Sequence, residues 1–166
     1  MTQTIKVSII EDNRQYALSL QRMIELSEHM TFQASYSSTE AYLEGLSENT
    51  VQACDIILLD LHLPGKSGIQ LIPTLRREMP DTDILVLTQN DDYYTTIEAI
   101  RLGVAGYLLK DSPVASIREA IIEINKGSSI IDPQLSRIVL KALSGNPDLS
   151  DEQLLTNREQ QVLELL

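Results

Sequence analysis

The sequence contains a single cysteine, Cys54, among its 166 residues, so no disulfide can form within the chain. Cys54 lies beside an apolar run, and we expect its thiol to be buried. No stretch of about 18 apolar residues is present, which excludes a conventional membrane-spanning helix. Met1–Thr4 also lack the charged and apolar regions of a signal peptide. These absences predict a cytoplasmic protein without a membrane partner.

Basic residues are scarce, with 13 Lys and Arg against 24 Asp and Glu, and the formal net charge is -11. This balance disfavours direct binding of nucleic acid, because phosphate contacts require clustered basic side chains. No G-x-G-x-x-G motif occurs, which disfavours a dinucleotide fold. Gly65-Lys66-Ser67 resembles the end of a Walker A loop, but the first glycine of that motif would fall at Asp60. A nucleotide-hydrolysing enzyme is therefore disfavoured too.

Short apolar runs alternate with helical patterns along most of the chain, which is typical of buried parallel strands joined by helices. The predicted strands are 5–11, 31–36, 55–60, 83–88 and 106–109. Five such units with right-handed crossovers make a doubly wound α/β sheet. The pattern around Ile97, Ile100 and Val104 predicts a helix, and Ser112-Pro113 predicts an N-cap with proline at the first helical position.

The chain divides into three predicted regions. Residues 1–128 form the α/β domain, and residues 129–152 form a linker helix opening at Asp132-Pro133 followed by a flexible segment. Residues 153–166 open another helix at Thr156, which forms a capping box with Glu159. No internal repeat is present.

Polar side chains follow four of the predicted strands: Glu11-Asp12, Asp60, Thr88 and Lys110. Ligands in open α/β sheets bind at the carboxyl ends of the strands, so we expect these side chains to converge. Carboxylate oxygens suit Mg²⁺, and Asp60 is ionised at neutral pH and can attack phosphorus without a general base. Each of these residues also has an ordinary interpretation: the acids could be solvated loop residues, Lys110 a surface lysine and Thr88 a strand threonine. The joint placement of all of them at strand ends weakens these alternatives.

The chain resembles the receiver domain of two-component response regulators over roughly residues 4–127. The residues that carry the resemblance are Ile10-Glu11-Asp12, Asp60–Gly68, Leu87-Thr88 and Gly103–Asp111. The resemblance implies a flavodoxin-like (CheY-like) sheet of five strands in the order 2-1-3-4-5.

The resemblance also implies roles for these residues. Asp60 would accept a phosphoryl group from a sensor histidine kinase or a small donor. Mg²⁺ would be held by Glu11, Asp12, Asp60 and the backbone carbonyl of His62. Thr88 and Lys110 would bind the phosphoryl oxygens, and Thr88 and Tyr107 would form a switch pair.

Three further positions are expected to tune the lifetime of the phosphorylated state. Gln89 is longer than the residue that the family usually places after its threonine, and we expect Gln89→Ala to alter the phosphorylation rate. His62 and Asn90 lie two residues beyond Asp60 and Thr88, and we expect them to control access of the hydrolytic water.

Residues 155–163 resemble the start of a LuxR-type helix-turn-helix domain, which places the parent protein with NarL/FixJ-type transcription regulators. The resemblance ends before a recognition helix, and residues 145–166 carry one basic and five acidic side chains, a net of -4. We expect DNA binding only through a complete output domain, not through this chain, and dimer formation controlled by phosphorylation.

Two alternatives from other classes stay open. A phosphatase of the haloacid-dehalogenase type also uses an aspartate at a strand end with Mg²⁺, but its second aspartate would fall at His62. A pseudo-receiver would be an interaction module without phosphoryl chemistry, and the complete set of acids, threonine and lysine argues against it.

Overall fold

A computed structural model of the chain describes residues 3–89 and 92–144. The strands in this part are β1 Ile5–Ile10, β2 Met30–Tyr36, β3 Ile56–Leu59, β4 Asp83–Thr88, β5 Gly106–Leu109 and β6 Ile130–Ile131. The helices are α1 Arg14–Leu26, α2 Thr39–Ser47, α3 Gly68–Glu78, α4 Tyr93–Arg101, α5 Val114–Asn125 and α6 Pro133–Ser144. Asn90 and the predicted capped helix at Thr156 lie outside the described residues.

The strands form one parallel sheet in the order β2-β1-β3-β4-β5-β6. The doubly wound sheet and the order of its first five strands are confirmed. β6 adds a sixth strand that the sequence did not predict, pairing Ile130 with Gly106 and Ile131 with Tyr107. Two residues are too few to show a period of two, so β6 leaves no recognisable pattern.

Helices cover both faces of the sheet with separate apolar cores. One core joins alternate residues of the central strands to α1 and α5. The other joins the intervening strand residues to α2, α3, α4 and α6, and it includes Tyr107 of β5 and Leu135 of α6, each 0% exposed. Both faces of the central strands are buried, which explains why their sequences are continuous apolar runs rather than alternations of apolar and polar residues.

Side-chain caps fix where several helices begin. The side chains of Asn13, Ser38 and Ser67 accept hydrogen bonds from backbone N–H groups of α1, α2 and α3. At α3 the Gln70 side chain also accepts a hydrogen bond from the Ser67 N–H, which completes a capping box. Each of these caps fixes the loop that joins a strand end to the next helix.

The predicted cap at Ser112 is wrong. Pro113 is itself the N-cap, α5 begins at Val114, and no side chain caps it. The Ser112 hydroxyl instead donates to the Asp132 carboxylate at 3.2 Å. Asp132 is 7% exposed, and a buried carboxylate needs hydrogen-bond donors more than an exposed helix end needs a cap.

The predicted continuation of α4 to Val104 is also wrong. The helix ends at Arg101, and Gly103 adopts a φ of 95°, the left-handed conformation that commonly stops a helix. Val104 lies in the turn before β5 and packs on the same core from there.

No helix among the described residues is long and apolar enough to cross a membrane.

Candidate functional site

The sheet ladder continues past the last residues of β1 and β3 and holds two acids at one edge. The Glu11 N–H donates to the Tyr36 carbonyl at 3.0 Å, and the Asp60 N–H donates to the Ile10 carbonyl at 3.0 Å. Because the strands are parallel, their carboxyl ends meet at the same edge. The backbone therefore fixes the side chains of Glu11 and Asp60 next to each other.

Glu11, Asp12 and Asp60 form an acidic cluster. One carboxylate oxygen from each lies within 4.8 Å of the others. Glu11 and Asp60 are each 4% exposed, whereas Asp12 is open to solvent. Hard oxygen ligands with one open side suit a small divalent cation that keeps part of its water shell. The donor set therefore fits Mg²⁺, as the sequence led us to expect.

The Lys110 ammonium lies between two of these acids. Its Nζ is 2.7 Å from Glu11 Oε2, 2.9 Å from Glu11 Oε1 and 3.3 Å from Asp60 Oδ2. The Lys110 side chain is only 11% exposed, so solvent screens these contacts weakly. One ammonium faces two buried carboxylates and one exposed carboxylate, so the negative charge of the cluster is only partly offset.

Burial raises the pKa of the Glu11 carboxyl above its usual 4.5. The hydrogen bond from Lys110 opposes this shift, and the nearby Asp60 charge adds to it. The Glu11 carboxylate also accepts a hydrogen bond from the Asn13 N–H at 3.0 Å. Desolvation of the Glu11 carboxylate therefore outweighs the support that its charged form receives from Lys110 and the Asn13 N–H.

Thr88 and Tyr107 lie on the neighbouring strands β4 and β5, where Thr88 pairs with Leu109 and Tyr107 with Val86. Thr88 ends β4, is 0% exposed, and accepts a hydrogen bond at its backbone carbonyl from the Lys110 N–H at 2.8 Å. This bond ties the residue at the end of β4 to the residue that follows β5. Tyr107 lies within β5, is 0% exposed, and packs in the core that α4 and α6 cover.

The loop from β3 to α3 is fixed from two sides. A Cβ atom on Gly68 would meet the Asp60 carbonyl oxygen at 2.2 Å, so only glycine permits α3 to begin this close to Asp60. The Lys66 N–H donates to the Glu40 carboxylate at 2.7 Å, which lowers the pKa of Glu40. Gly65 has a φ of 75°, a conformation that glycine adopts without strain.

Two of the predicted tuning residues are described. His62 and Gln89 are exposed, and both line the cleft that also contains the three acids and Lys110. The His62 N–H donates to Asp60 Oδ1 at 3.1 Å, so the backbone at His62 orients the Asp60 carboxylate. Asn90 lies outside the described residues.

The sequence did not single out Tyr16 or Asp132. The Lys110 Nζ lies 4.9 Å from the centre of the Tyr16 ring, and Tyr16 also lines the cleft beside Lys110. Asp132 holds the loop after Lys110 through Ser112. The cap at Asn13 fixes the first turn of α1 beside the acids, but it does not indicate which residue the Tyr16 ring contacts. No local pattern distinguishes Asp132 from an ordinary helix cap.

Residues 7–122 match the family model of the response regulator receiver domain. A nitrate/nitrite response regulator protein homolog of Haemophilus influenzae is 33% identical over 166 residues, which cover 98% of this chain and 76% of that protein. The transcriptional regulatory protein LiaR of Bacillus subtilis is 32% identical over 167 residues, with the same shares covered.

Among solved structures, the isolated REC domain of RcsB from Salmonella enterica serovar Typhimurium, in the presence of the phosphomimetic BeF₃⁻, has a TM-score of 0.73 and 22% identity. The match covers 82% of this chain and 99% of that domain, and it supports the fold. The family model covers more than half of the chain, and two relatives exceed 30% identity. The chain therefore belongs to the family of response regulator receiver domains, which act in two-component signalling.

Proposed function

We propose that Asp60 is the phosphoacceptor of a two-component system. The observation that carries this proposal is the placement of the Asp60 carboxylate, 4% exposed, within 4.8 Å of two other acids and 3.3 Å from the Lys110 ammonium. A buried carboxylate with cationic support is a nucleophile whose reaction with an anionic phosphodonor is not blocked by charge repulsion.

The reaction needs no general base, because a carboxylate is already deprotonated at neutral pH. One Asp60 oxygen forms a bond to phosphorus while the bond from phosphorus to the donor breaks, and the bonding pair leaves with the donor. The donor is a phosphohistidine of a sensor kinase or a small acyl phosphate. The His62 N–H donates to Asp60 Oδ1 at 3.1 Å and thereby leaves Asp60 Oδ2, near Lys110, for the attack.

The residues that would hold Mg²⁺ are Glu11, Asp12, Asp60 and the backbone carbonyl of His62. When bound, Mg²⁺ supplies positive charge that offsets the repulsion between the carboxylate and the incoming phosphoryl group. The acidic cluster supports this assignment, since three carboxylates face a single ammonium, that of Lys110.

Lys110 and Thr88 are proposed to bind the phosphoryl oxygens. The hydrogen bond between the Lys110 N–H and the Thr88 carbonyl keeps the two loops together, so a shift of one loop acts on the other. Thr88 and Tyr107 form the proposed switch pair, and Tyr107 packs beneath α4 and α6. Phosphorylation would then change the surface formed by α4, β5 and the linker helix.

His62, Gln89 and Asn90 are proposed to tune the lifetime of the phosphorylated state. The exposed side chains of His62 and Gln89 at the cleft are consistent with control of water entry. The substitutions His62→Ala and Gln89→Ala should change the rates of dephosphorylation and phosphorylation, respectively.

The proposed organisation is a receiver domain at residues 1–128, a linker at 129–152 and the first part of a LuxR-type domain at 153–166. Phosphorylation would control dimer formation between two copies and, through a complete output domain, binding to DNA. The kinase is the partner of the receiver domain, and this chain alone is not proposed to bind DNA.

Titration with beryllofluoride, a phosphoryl mimic, in the presence of Mg²⁺ tests the site. Amide NMR signals of residues around Asp60, Thr88 and Tyr107 should shift in the wild type, and the Asp60→Asn variant should show no such shifts. An unchanged wild-type spectrum would identify the protein as a pseudo-receiver. Steady turnover of phosphate esters would support the phosphatase alternative instead.

A further inference from the structure

The Lys110 ammonium has a third contact that is not a carboxylate. Its Nζ lies 4.9 Å from the centre of the Tyr16 ring, within the range of a cation–π contact. The other contacts of this ammonium that the structure describes are with Glu11 and Asp60. The Lys110 side chain is 11% exposed, so the aromatic contact forms where water competes little.

The position of the Tyr16 ring is fixed by the start of α1. The Tyr16 N–H donates to the side chain of Asn13 at 3.0 Å, which anchors the first turn of the helix directly after the two acids. The ring also packs against the core that α1 shares with α5. A ring held by both contacts can support Lys110 without paying further conformational entropy.

The hydroxyl of Tyr16 makes no described contact that would explain why a tyrosine occupies this position. Its oxygen is buried and has no hydrogen-bond partner within residues 3–89 and 92–144. The described residues give this hydroxyl no bond, and the contact of Tyr16 with Lys110 is made by its ring. Phenylalanine would keep that contact, and leucine would fill much of the space without it.

We propose that Tyr16 is a positioning residue whose ring holds the Lys110 ammonium beside Asp60 when the carboxylates are engaged elsewhere. The proposal rests on the function assigned above to Asp60 and Lys110. The Glu11 and Asp60 oxygens that accept from Lys110 belong to the same carboxylates that would ligate Mg²⁺ and carry the phosphoryl group. A ring is no ligand for a hard cation, so the aromatic contact persists while the carboxylate contacts weaken.

The contact itself is tested in the metal-free protein by NMR. A ring beside the ammonium shifts the Lys110 ε-methylene protons upfield. This shift should be present in the wild type and in Tyr16→Phe and absent in Tyr16→Leu, and it should remain when Mg²⁺ and beryllofluoride are added. Loss of the shift in the loaded wild-type protein would overturn the proposal, as would its absence in the metal-free wild type.

The consequence is tested by the affinity for beryllofluoride at saturating Mg²⁺. Tyr16→Leu should bind at least two- to fivefold more weakly than the wild type, because a cation–π contact contributes about 0.5–1 kcal/mol even at an exposed site. Tyr16→Phe should match the wild type, because it keeps the ring. Equal affinity of the leucine variant and the wild type would contradict the proposal.

A double-mutant cycle separates positioning from packing. In the Lys110→Met background the change from tyrosine to leucine should have no further effect on beryllofluoride affinity, because the cation is gone. A persisting two- to fivefold loss would show that the ring acts through packing and would overturn the proposal. If the wild type does not bind beryllofluoride, the proposed function fails, whereas the upfield shift in the metal-free protein still decides the contact.

Discussion

At the scale of single residues, the central feature of this protein is a group of like charges held close together. Three carboxylates lie within 4.8 Å of one another, and Lys110 offsets only part of their charge. Such an arrangement lowers the free energy of unfolding unless a cation is bound. Stability measured with and without Mg²⁺ therefore reports on the site directly.

Asp12→Asn should raise the free energy of unfolding by about 1 kcal/mol in the absence of metal, because it removes one repelling charge from the exposed side of the cluster. The same substitution should abolish most of the stabilisation that Mg²⁺ gives the wild type. Urea unfolding in EDTA and in excess Mg²⁺ measures both effects.

Asp81→Asn is the matched control, since it removes an equal charge at an exposed position away from the cluster. It should leave the stabilisation by Mg²⁺ at the wild-type value. If Asp12→Asn and Asp81→Asn respond to Mg²⁺ alike, the cluster is not the metal site.

The raised pKa of Glu11 predicts a pH dependence of Mg²⁺ affinity. As the pH falls from 7 to about 5, Glu11 should take up a proton at a higher pH than a carboxyl with the ordinary value of 4.5, and Mg²⁺ affinity should fall with it. Calorimetric titrations across this range measure the decline. Glu11→Gln should bind weakly at every pH in the range, and a wild-type affinity that stays constant to pH 5 would contradict the assignment.

In the metal-free protein the raised pKa of Glu11 makes folding more favourable at low pH than at high pH. Because the folded state holds the Glu11 proton more tightly than the unfolded chain, this group favours folding at low pH, and that contribution is lost as the pH rises through the raised pKa. Bound Mg²⁺ would offset this loss by stabilising the charged form of Glu11.

The residues at strand ends could be predicted from the sequence, and Tyr16 could not. Glu11, Asp60 and Lys110 each follow an apolar run, and parallel strands bring their carboxyl ends together. The position of Tyr16 depends instead on the direction in which the first turn of α1 points, which the Asn13 cap sets. A helix cap can be predicted from a sequence, but the residue that an aromatic ring contacts cannot.

At the scale of helices and strands, the linker helix α6 is joined to the loop that carries Lys110. Asp132 accepts hydrogen bonds from the Ser112 hydroxyl at 3.2 Å and the Gln134 N–H at 2.9 Å, and its own N–H donates to the Tyr107 carbonyl at 2.9 Å. Leu135 of α6 is 0% exposed in the core that contains Tyr107. Asp132 and Leu135 therefore connect α6 to the loop after β5 and to the core around Tyr107.

Asp132→Ala should lower the free energy of unfolding by about 1–3 kcal/mol, because it leaves buried donors without their acceptor. Hydrogen exchange of the α6 amides should accelerate as well, since the helix loses its N-terminal anchor. Urea unfolding and native-state exchange measure the two effects.

Ser112→Ala is the control at this scale, because it removes one donor and keeps the acceptor. It should cost about 0.5–1.5 kcal/mol and leave the exchange of α6 nearly unchanged. Unaltered exchange of α6 in Asp132→Ala would show that the helix is held by its apolar contacts alone.

The order of the elements could be predicted because apolar runs and helical periods are long enough to identify. The errors at Ser112 and β6 arose where a distant part of the chain decided the outcome, whereas the end of α4 is set locally by Gly103. The local sequence predicts that Ser112 caps a helix, but its hydroxyl donates instead to the buried carboxylate of Asp132. β6 has two residues and forms because β5 offers it a free edge, which no local pattern reveals.

At the scale of the whole molecule, the proposed dimer requires an apolar surface that one chain leaves uncovered. Leu26 at the end of α1 is 80% exposed, and Val114 at the start of α5 is 53% exposed. Both line one groove together with Met23. This groove lies between the end of α1 and the start of α5, and it is the surface on which we expect the proposed dimer to form.

Leu26→Asp should weaken the proposed dimer in beryllofluoride and Mg²⁺ about tenfold or more, because a side chain that the dimer would bury becomes charged. Sedimentation velocity over a range of concentrations measures the association. Leu143→Asp, at a residue 79% exposed on α6 and outside this groove, should leave the dimer intact. Dimers of equal strength in both variants would place the contact on another surface.

The central claim is that Asp60 is phosphorylated in a reaction that its neighbours support. The most direct measurement is the intact mass of the protein after incubation with acetyl phosphate, with Mg²⁺ and with EDTA. The wild type should gain one phosphoryl group only with Mg²⁺, and Asp60→Asn should gain none. A wild-type mass that stays unchanged with Mg²⁺, or an equal gain in Asp60→Asn, would contradict the claim.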